Sequence, residues 1–168
     1  MTSEHDRDTA LREHIRYLLK GGSAHIDFRH ALKDFPFAVI NVKLGNLPYT
    51  PWEVLEHLRI AQWDILEFSR NASHVSPEFP KGYWPPPTQE ADEDTWNKTV
   101  KAFLSDLSEM EELVMNSETD LFARIPHGDG QTILREALLV ADHNAYHLGA
   151  LMTMKKALEV VRLSGPSA

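Results

Sequence analysis

The chain has 168 residues, with 17 Lys and Arg against 25 Asp and Glu, giving a formal net charge of −8 with His neutral. That length suits one domain spanning residues 1–168 with a single sizeable core, and 42% hydrophobic with 25% charged residues excludes wholesale disorder. The acidic excess, with no basic cluster larger than the pair Lys155–Lys156, excludes a surface built to track a nucleic-acid backbone. There are no cysteines, so disulfides, thiolate metal sites and cysteine nucleophiles are excluded together. A metal would have to be held by His, Asp or Glu, and nine histidines are available. Residues 1–12 carry Glu4, Asp6, Arg7, Asp8 and Arg12 with no apolar run behind them, so no signal peptide is expected. No stretch approaches the roughly 18–20 apolar residues of a membrane span. The chain is read as a cytoplasmic, bacterial protein.

Four segments show helical period, and none shows the sustained alternation of strands. The first is expected over about Asp8 to Lys20, with Leu11, Ile15, Leu18 and Leu19 on one face and Gly21-Gly22 as its stop. Residues Ser23 to Asn46 form a long connection with a short helix near Ala24–Lys33, limited by Asp34, Pro36, Gly45 and Pro48. The second long helix has the strongest start signal: Thr50 caps, Pro51 fits the first helical position, and Glu53 completes a capping box. It should run to about Arg70 with Val54, Leu58, Ala61, Ile65 and Phe68 inward. The segment Asn71 to Thr88 is a loop rich in proline, whose aromatics Phe79, Tyr83 and Trp84 are expected to pin it to the helices. The third long helix is expected over about Glu90 to Asn116, where Trp96, Val100, Phe103, Leu107, Met110 and Val114 alternate spacings of four and three. Pro126, Gly128 and Gly130 break the chain before a fourth helix over about Thr132 to Arg162, with Ile133, Ala137, Val140, Leu151, Met154 and Leu158 as its buried stripe. Four long helices without strands predict an all-α four-helix bundle, and the two long connections leave room for a crossover topology.

The chemistry falls on the second and fourth long helices. His143 and His147 are four residues apart, about 40° around a helix, so both rings project from one face one turn apart. Their stripe continues the buried one of Ile133, Ala137 and Val140 toward Leu151 and Met154. His57 shares the inward face of Val54, Ala61 and Ile65. A buried imidazole without a partner costs roughly 1–3 kcal/mol; one divalent ion would satisfy all three rings and keep a coordination position open, which is a catalytic arrangement. The same residues would also be accommodated by hydrogen bonds to neighbouring helices. A thermolysin-type protease is disfavoured, because Asn144 stands where that signature carries its Glu.

Two segments, Pro51-Trp52-Glu53-Val54-Leu55-Glu56-His57-Leu58-Arg59-Ile60-Ala61-Gln62-Trp63-Asp64 and Asp142-His143-Asn144-Ala145-Tyr146-His147-Leu148-Gly149, carry a resemblance to the DinB/YfiT-like family of four-helix-bundle metalloproteins. The resemblance covers nearly the whole chain. It implies a Zn or Ni site held by His57, His143 and His147, and a homodimer. Some relatives of that family are thiol-dependent S-transferases or isomerases using low-molecular-weight thiols; with no Cys in this chain, a sulfur nucleophile would have to come from a cosubstrate. Many relatives carry Gln shortly after the last His and Gly, where this chain has Gly149-Ala150. The expected function is therefore a divalent-metal enzyme of hydrolase or thiol S-transferase type acting on a small molecule; the alternative is a non-catalytic metal- or ligand-binding dimerising bundle.

Weaker candidates surround this set. Asp64, two turns from His57, would orient a ligand or water, or serve as a surface or helix-pairing carboxylate; Glu136, two turns before His143, would act as a general base or form an ion pair. His25, Asp27 and His30 lie where the first connection would cover a pocket mouth. His5, His14, His74 and His127 read as solvated, Trp63 and Trp96 as core or interface aromatics, and Tyr146 as off the ligand face.

Overall fold

Local capping chemistry sets where each helix starts. Residues 3–163 are described by a computed structural model. Helix α1 (Glu4–Lys20) begins earlier than its apolar period predicts, because Ser3 and Asp6 form a reciprocal capping box. It ends where Gly21 and Gly22 adopt positive φ values of 66° and 92°. Its buried residues are Arg12, Ile15 and Leu19. Leu18, expected inward, is 53% exposed, since it lies about 100° around the helix from Leu19. Helix α2 (Phe28–Leu32) is shorter than expected: the Asp27 side chain accepts from the His30 amide and so fixes the start at Phe28.

Helix α3 (Pro51–Arg70) starts as the sequence predicts, with Thr50 and Glu53 exchanging both capping hydrogen bonds. Helix α4 (Glu93–Met115) starts after the expected Glu90 because Asp92 caps the Thr95 amide. Helix α5 (Ile133–Leu163) follows Thr132, whose hydroxyl accepts from the Arg135 amide. Short 3-10 turns at Phe37–Val39 and Lys81–Tyr83 punctuate the two long connections. Among the described residues there is no strand, only an isolated bridge between Arg124 and Thr132. None of these helices is long and apolar enough to cross a membrane.

Helix α3 packs chiefly on α4 and α5, and α1 packs on the same two. The centre is filled by Leu55, Leu58 and Leu66 of α3, Phe103 and Val114 of α4, and Ala137 of α5, all with no exposed surface. Two polar devices cross this core. The Arg12 guanidinium, buried under α4, donates to the carbonyls of Val114, Asn116 and Thr119 at 2.7, 2.9 and 2.8 Å and to Asp8. It thereby satisfies the Val114 carbonyl, which the end of α4 leaves without an intrahelical partner, and ties down the turn that follows at Asn116 and Thr119. Gln62 links three helices: its amide donates to the Phe103 carbonyl, and its oxygen accepts from Asn144, each at 2.7 Å. The packing of α3 on α5 sets the His57 stripe against that of His143 and His147.

Candidate metal centre

Three imidazoles meet where α3 faces α5. The rings of His57, His143 and His147 have centroids 4.6–5.0 Å apart and stand edge to face. One nitrogen from each falls within 4.8 Å of the other two, so the set could hold a metal ion. The Nε2 atoms of His57 and His143 are 3.1 Å apart. Ligand nitrogens about 2.0–2.1 Å from a tetrahedral ion would lie about 3.3 Å from one another, close to that separation.

The protonation state suits ligation. Burial pushes the His57 pKa below its usual value, against the hydrogen bond to Tyr83, which raises it. Burial, reinforced by the neighbouring rings, lowers His143 and His147 to about 4. All three rings are therefore neutral near pH 7, which is the ligating form of imidazole. The tautomer of His57 follows from its partner: the Tyr83 carbonyl, 2.8 Å away, takes a hydrogen bond that only an Nδ1–H can donate. Its Nε2 lone pair is left directed at the other rings. His143 Nδ1 is buried without a hydrogen-bond partner, a desolvation cost of about 1–3 kcal/mol that ligation through the ring's other nitrogen would help to offset. Three neutral nitrogen donors without a thiolate suit first-row divalent ions such as Zn and Ni.

A cavity of about 480 Å³ adjoins the centre, with His57 and His143 in its wall. Its other walls are mostly apolar, including Ala61, Ile65, Phe68 and Leu139 from the helices and Tyr83 and Trp84 from the loop after α3. Trp84 stacks on the His57 ring at 4.1 Å with planes 4° apart, and Tyr49 stacks on the far face of Trp84 at 3.8 Å. His57 is thus clamped by a carbonyl at one nitrogen and an indole on one face.

Both candidate carboxylates line this cavity. Asp64 is buried and accepts two short hydrogen bonds, from the Tyr83 hydroxyl at 2.6 Å and from His74 Nε2 at 2.7 Å. Burial and Asp64 together push the Tyr83 phenol up to about 12, so it remains a donor. Glu136, 2% exposed, pairs through Oε1 with Arg135 at 2.7 Å.

Several expectations are corrected here. His74 is not solvated: its side chain is buried against Asp64, with Trp63 edge-on at 5.0 Å. Trp96 belongs to the core, whereas Trp63 is partly exposed. Phe79 does not pin its loop but stands 83% exposed at the cavity rim; Tyr83 and Trp84 pin it. His25, Asp27 and His30 do not reach the cavity. Asp27 and His30 bond each other at 2.6 Å, and His25 Nδ1 meets the Ile26 carbonyl. His25 sits over Ala145, Leu148 and Met152, a face of α5 turned away from His143 and His147. His5 and His14 are exposed as expected; His127 is exposed too, but its Nε2–H donates to the Phe68 carbonyl at 2.7 Å. Tyr146 is 75% exposed with its ring edge against His147, consistent with a place beside the ligand face.

Sequence reasoning missed the stack of Tyr49 and Trp84, the Asp64–His74 pair and the Gln62–Asn144 link. The signals were a Tyr-Trp pair set among prolines, and polar residues at Gln62 and Asn144 inside otherwise apolar stripes.

No curated protein and no solved structure matches the chain. The profile of the DinB superfamily matches residues 24–151, which include all three histidines and the whole lining of the cavity. The chain belongs to the DinB superfamily.

Proposed function

We propose that this protein is a divalent-metal-dependent enzyme of hydrolase or thiol S-transferase type, acting on a small molecule bound in the cavity beside His57 and His143. The observation that carries the reading is the convergence of three neutral imidazole nitrogens within 4.8 Å of one another beside a cavity of about 480 Å³. His57, His143 and His147 would hold a zinc or nickel ion. When bound, such an ion supplies Lewis acidity that activates a water or a low-molecular-weight thiol. The protein's own residues do the remaining work. The apolar walls around Ile65, Phe68 and Leu139 bind the body of the substrate and exclude bulk water. Glu136, which pairs with Arg135 through one oxygen, keeps Oε2 for accepting a proton from the nucleophile. Asp64 has both hydrogen-bond partners in the loop after α3, which suits a structural role better than proton transfer.

The scaffold of this reading is a four-helix bundle of α1, α3, α4 and α5 with crossover connections; α1 and α3 both packing on α4 and α5 supports it. A cytoplasmic, bacterial homodimer completes it, with no nucleic-acid or membrane partner; the net charge of −8 supports the former exclusion.

The test is turnover by the zinc- and nickel-loaded protein against thiols paired with electrophiles and against simple esters and amides. Activity that requires the ion and falls at least about 100-fold in Glu136→Gln supports the reading. A fully loaded protein inert to the whole panel would replace it with a non-catalytic metal- or ligand-binding bundle.

A further inference from the structure

Asp64 and His57 lie seven residues apart on α3, two turns along nearly the same face. A single loop residue touches both. The backbone carbonyl of Tyr83 accepts from His57 Nδ1 at 2.8 Å, and its hydroxyl donates to Asp64 at 2.6 Å. Tyr83 therefore spans the two turns like a strut, its main chain against the imidazole and its phenol against the carboxylate. The next residue, Trp84, lies flat on the same imidazole. Asp64 is 7% exposed, and its second partner, His74, comes from the same loop. A carboxylate this buried is retained at a cost in desolvation that its two hydrogen bonds must offset. Both bonds act on the one segment that fixes the orientation of His57.

We infer that Asp64 is a positioning residue for His57: by holding the Tyr83 hydroxyl it holds the Tyr83 carbonyl in place, which fixes His57 as the Nδ1–H tautomer with Nε2 aimed at His143 and His147. This rests on the metal-centre reading only for its consequence, the affinity for an ion; the tautomer itself is a property of the metal-free chain. A partner on the non-ligating nitrogen raises the basicity of a ligand imidazole and fixes its plane, and loss of such a partner typically costs about 10–100-fold in metal affinity.

The experiment uses the full chain in three forms: wild type, Tyr83→Phe, which removes one oxygen and keeps the ring, and Asp64→Ala. Val114→Ala, in the core away from the site, controls for lost stability. Two readouts are taken. Nitrogen-15 spectra of the metal-free proteins, with His57 assigned through His57→Gln, should show an Nδ1–H tautomer in the wild type and the control. Both site variants should show a mixture with the Nε2–H form. Cobalt(II) titration should show affinity reduced about 10-fold or more in both site variants, with an altered visible spectrum, and unchanged in Val114→Ala. Should Asp64→Ala fail to fold, Tyr83→Phe decides. An unchanged His57 tautomer in the folded variants would overturn the inference whatever the cobalt result. A wild type that takes up no cobalt, combined with a shifted tautomer in the variants, would retain the positioning role and reject the metal centre.

Discussion

The link from Phe103 through Gln62 to Asn144 makes a quantitative demand on mutants. Gln62 has no exposed surface, and Asn144 is buried with its Oδ1 lacking a hydrogen-bond partner. Gln62→Leu removes two hydrogen bonds and strands the Asn144 amide in the core. Each lost bond is worth about 1 kcal/mol and the stranded amide about 1–3 kcal/mol more, so the variant should lose about 3–5 kcal/mol. Asn144→Leu strands the Gln62 oxygen but also removes the unpaired Oδ1, and should cost about 1–3 kcal/mol. The double variant strands neither side chain. The Phe103 carbonyl keeps its place within α4, leaving mainly a repacking cost of about 1.5 kcal/mol or less. A double-mutant cycle by urea unfolding should therefore give a coupling energy of about 2 kcal/mol or more, with the double variant more stable than Gln62→Leu alone. Additive single losses would refute the reasoning, because they would mean that neither amide depends on the other.

Three further outcomes are expected. Arg12→Met exposes no new charge in the core but frees the carbonyls of Val114 and Thr119, while that of Asn116 keeps the Thr119 amide, and should cost about 2–4 kcal/mol in urea unfolding; a loss under 1 kcal/mol would show that water replaces the guanidinium freely. The metal-free protein should weaken in acid. His143 and His147 titrate near 6.5 when unfolded and at about 4 when folded, so the unfolded chain binds more protons between those values. Stability is then full above pH 6.5 and lost as the pH falls toward 4. The urea midpoint should fall less steeply with acid in a His143→Gln, His147→Gln variant, and identical slopes would contradict the assignment. Zinc at 100 times its dissociation constant should stabilise the wild type by about 2.7 kcal/mol, read as a rise in melting temperature, and should leave His57→Ala unmoved.

The helices were legible because their signals are local. Thr50, Pro51 and Glu53 specify the start of α3 within one turn of chain, and the spacing of Phe103, Leu107, Met110 and Val114 specifies the buried seam of α4. The histidine cluster was legible because four residues separate His143 from His147 and because His57 falls on an apolar face. The errors arose where tertiary contacts decide. His74 looks like any loop histidine until Asp64 is found to face it across ten residues of chain. Phe79 and Trp84 carry the same apolar signal, yet only Trp84 meets a flat partner in His57. Whether residues 23–46 or 71–88 would cover the centre depends on which connection crosses the α3–α5 seam, and nothing local encodes that.

The most direct test is the metal content of untagged protein after loading with zinc or nickel and exhaustive dialysis. The wild type should retain about one ion per chain and His57→Ala and His143→Ala none, with each variant still helical. A wild type that retains no ion, or variants that retain a full complement, would contradict it.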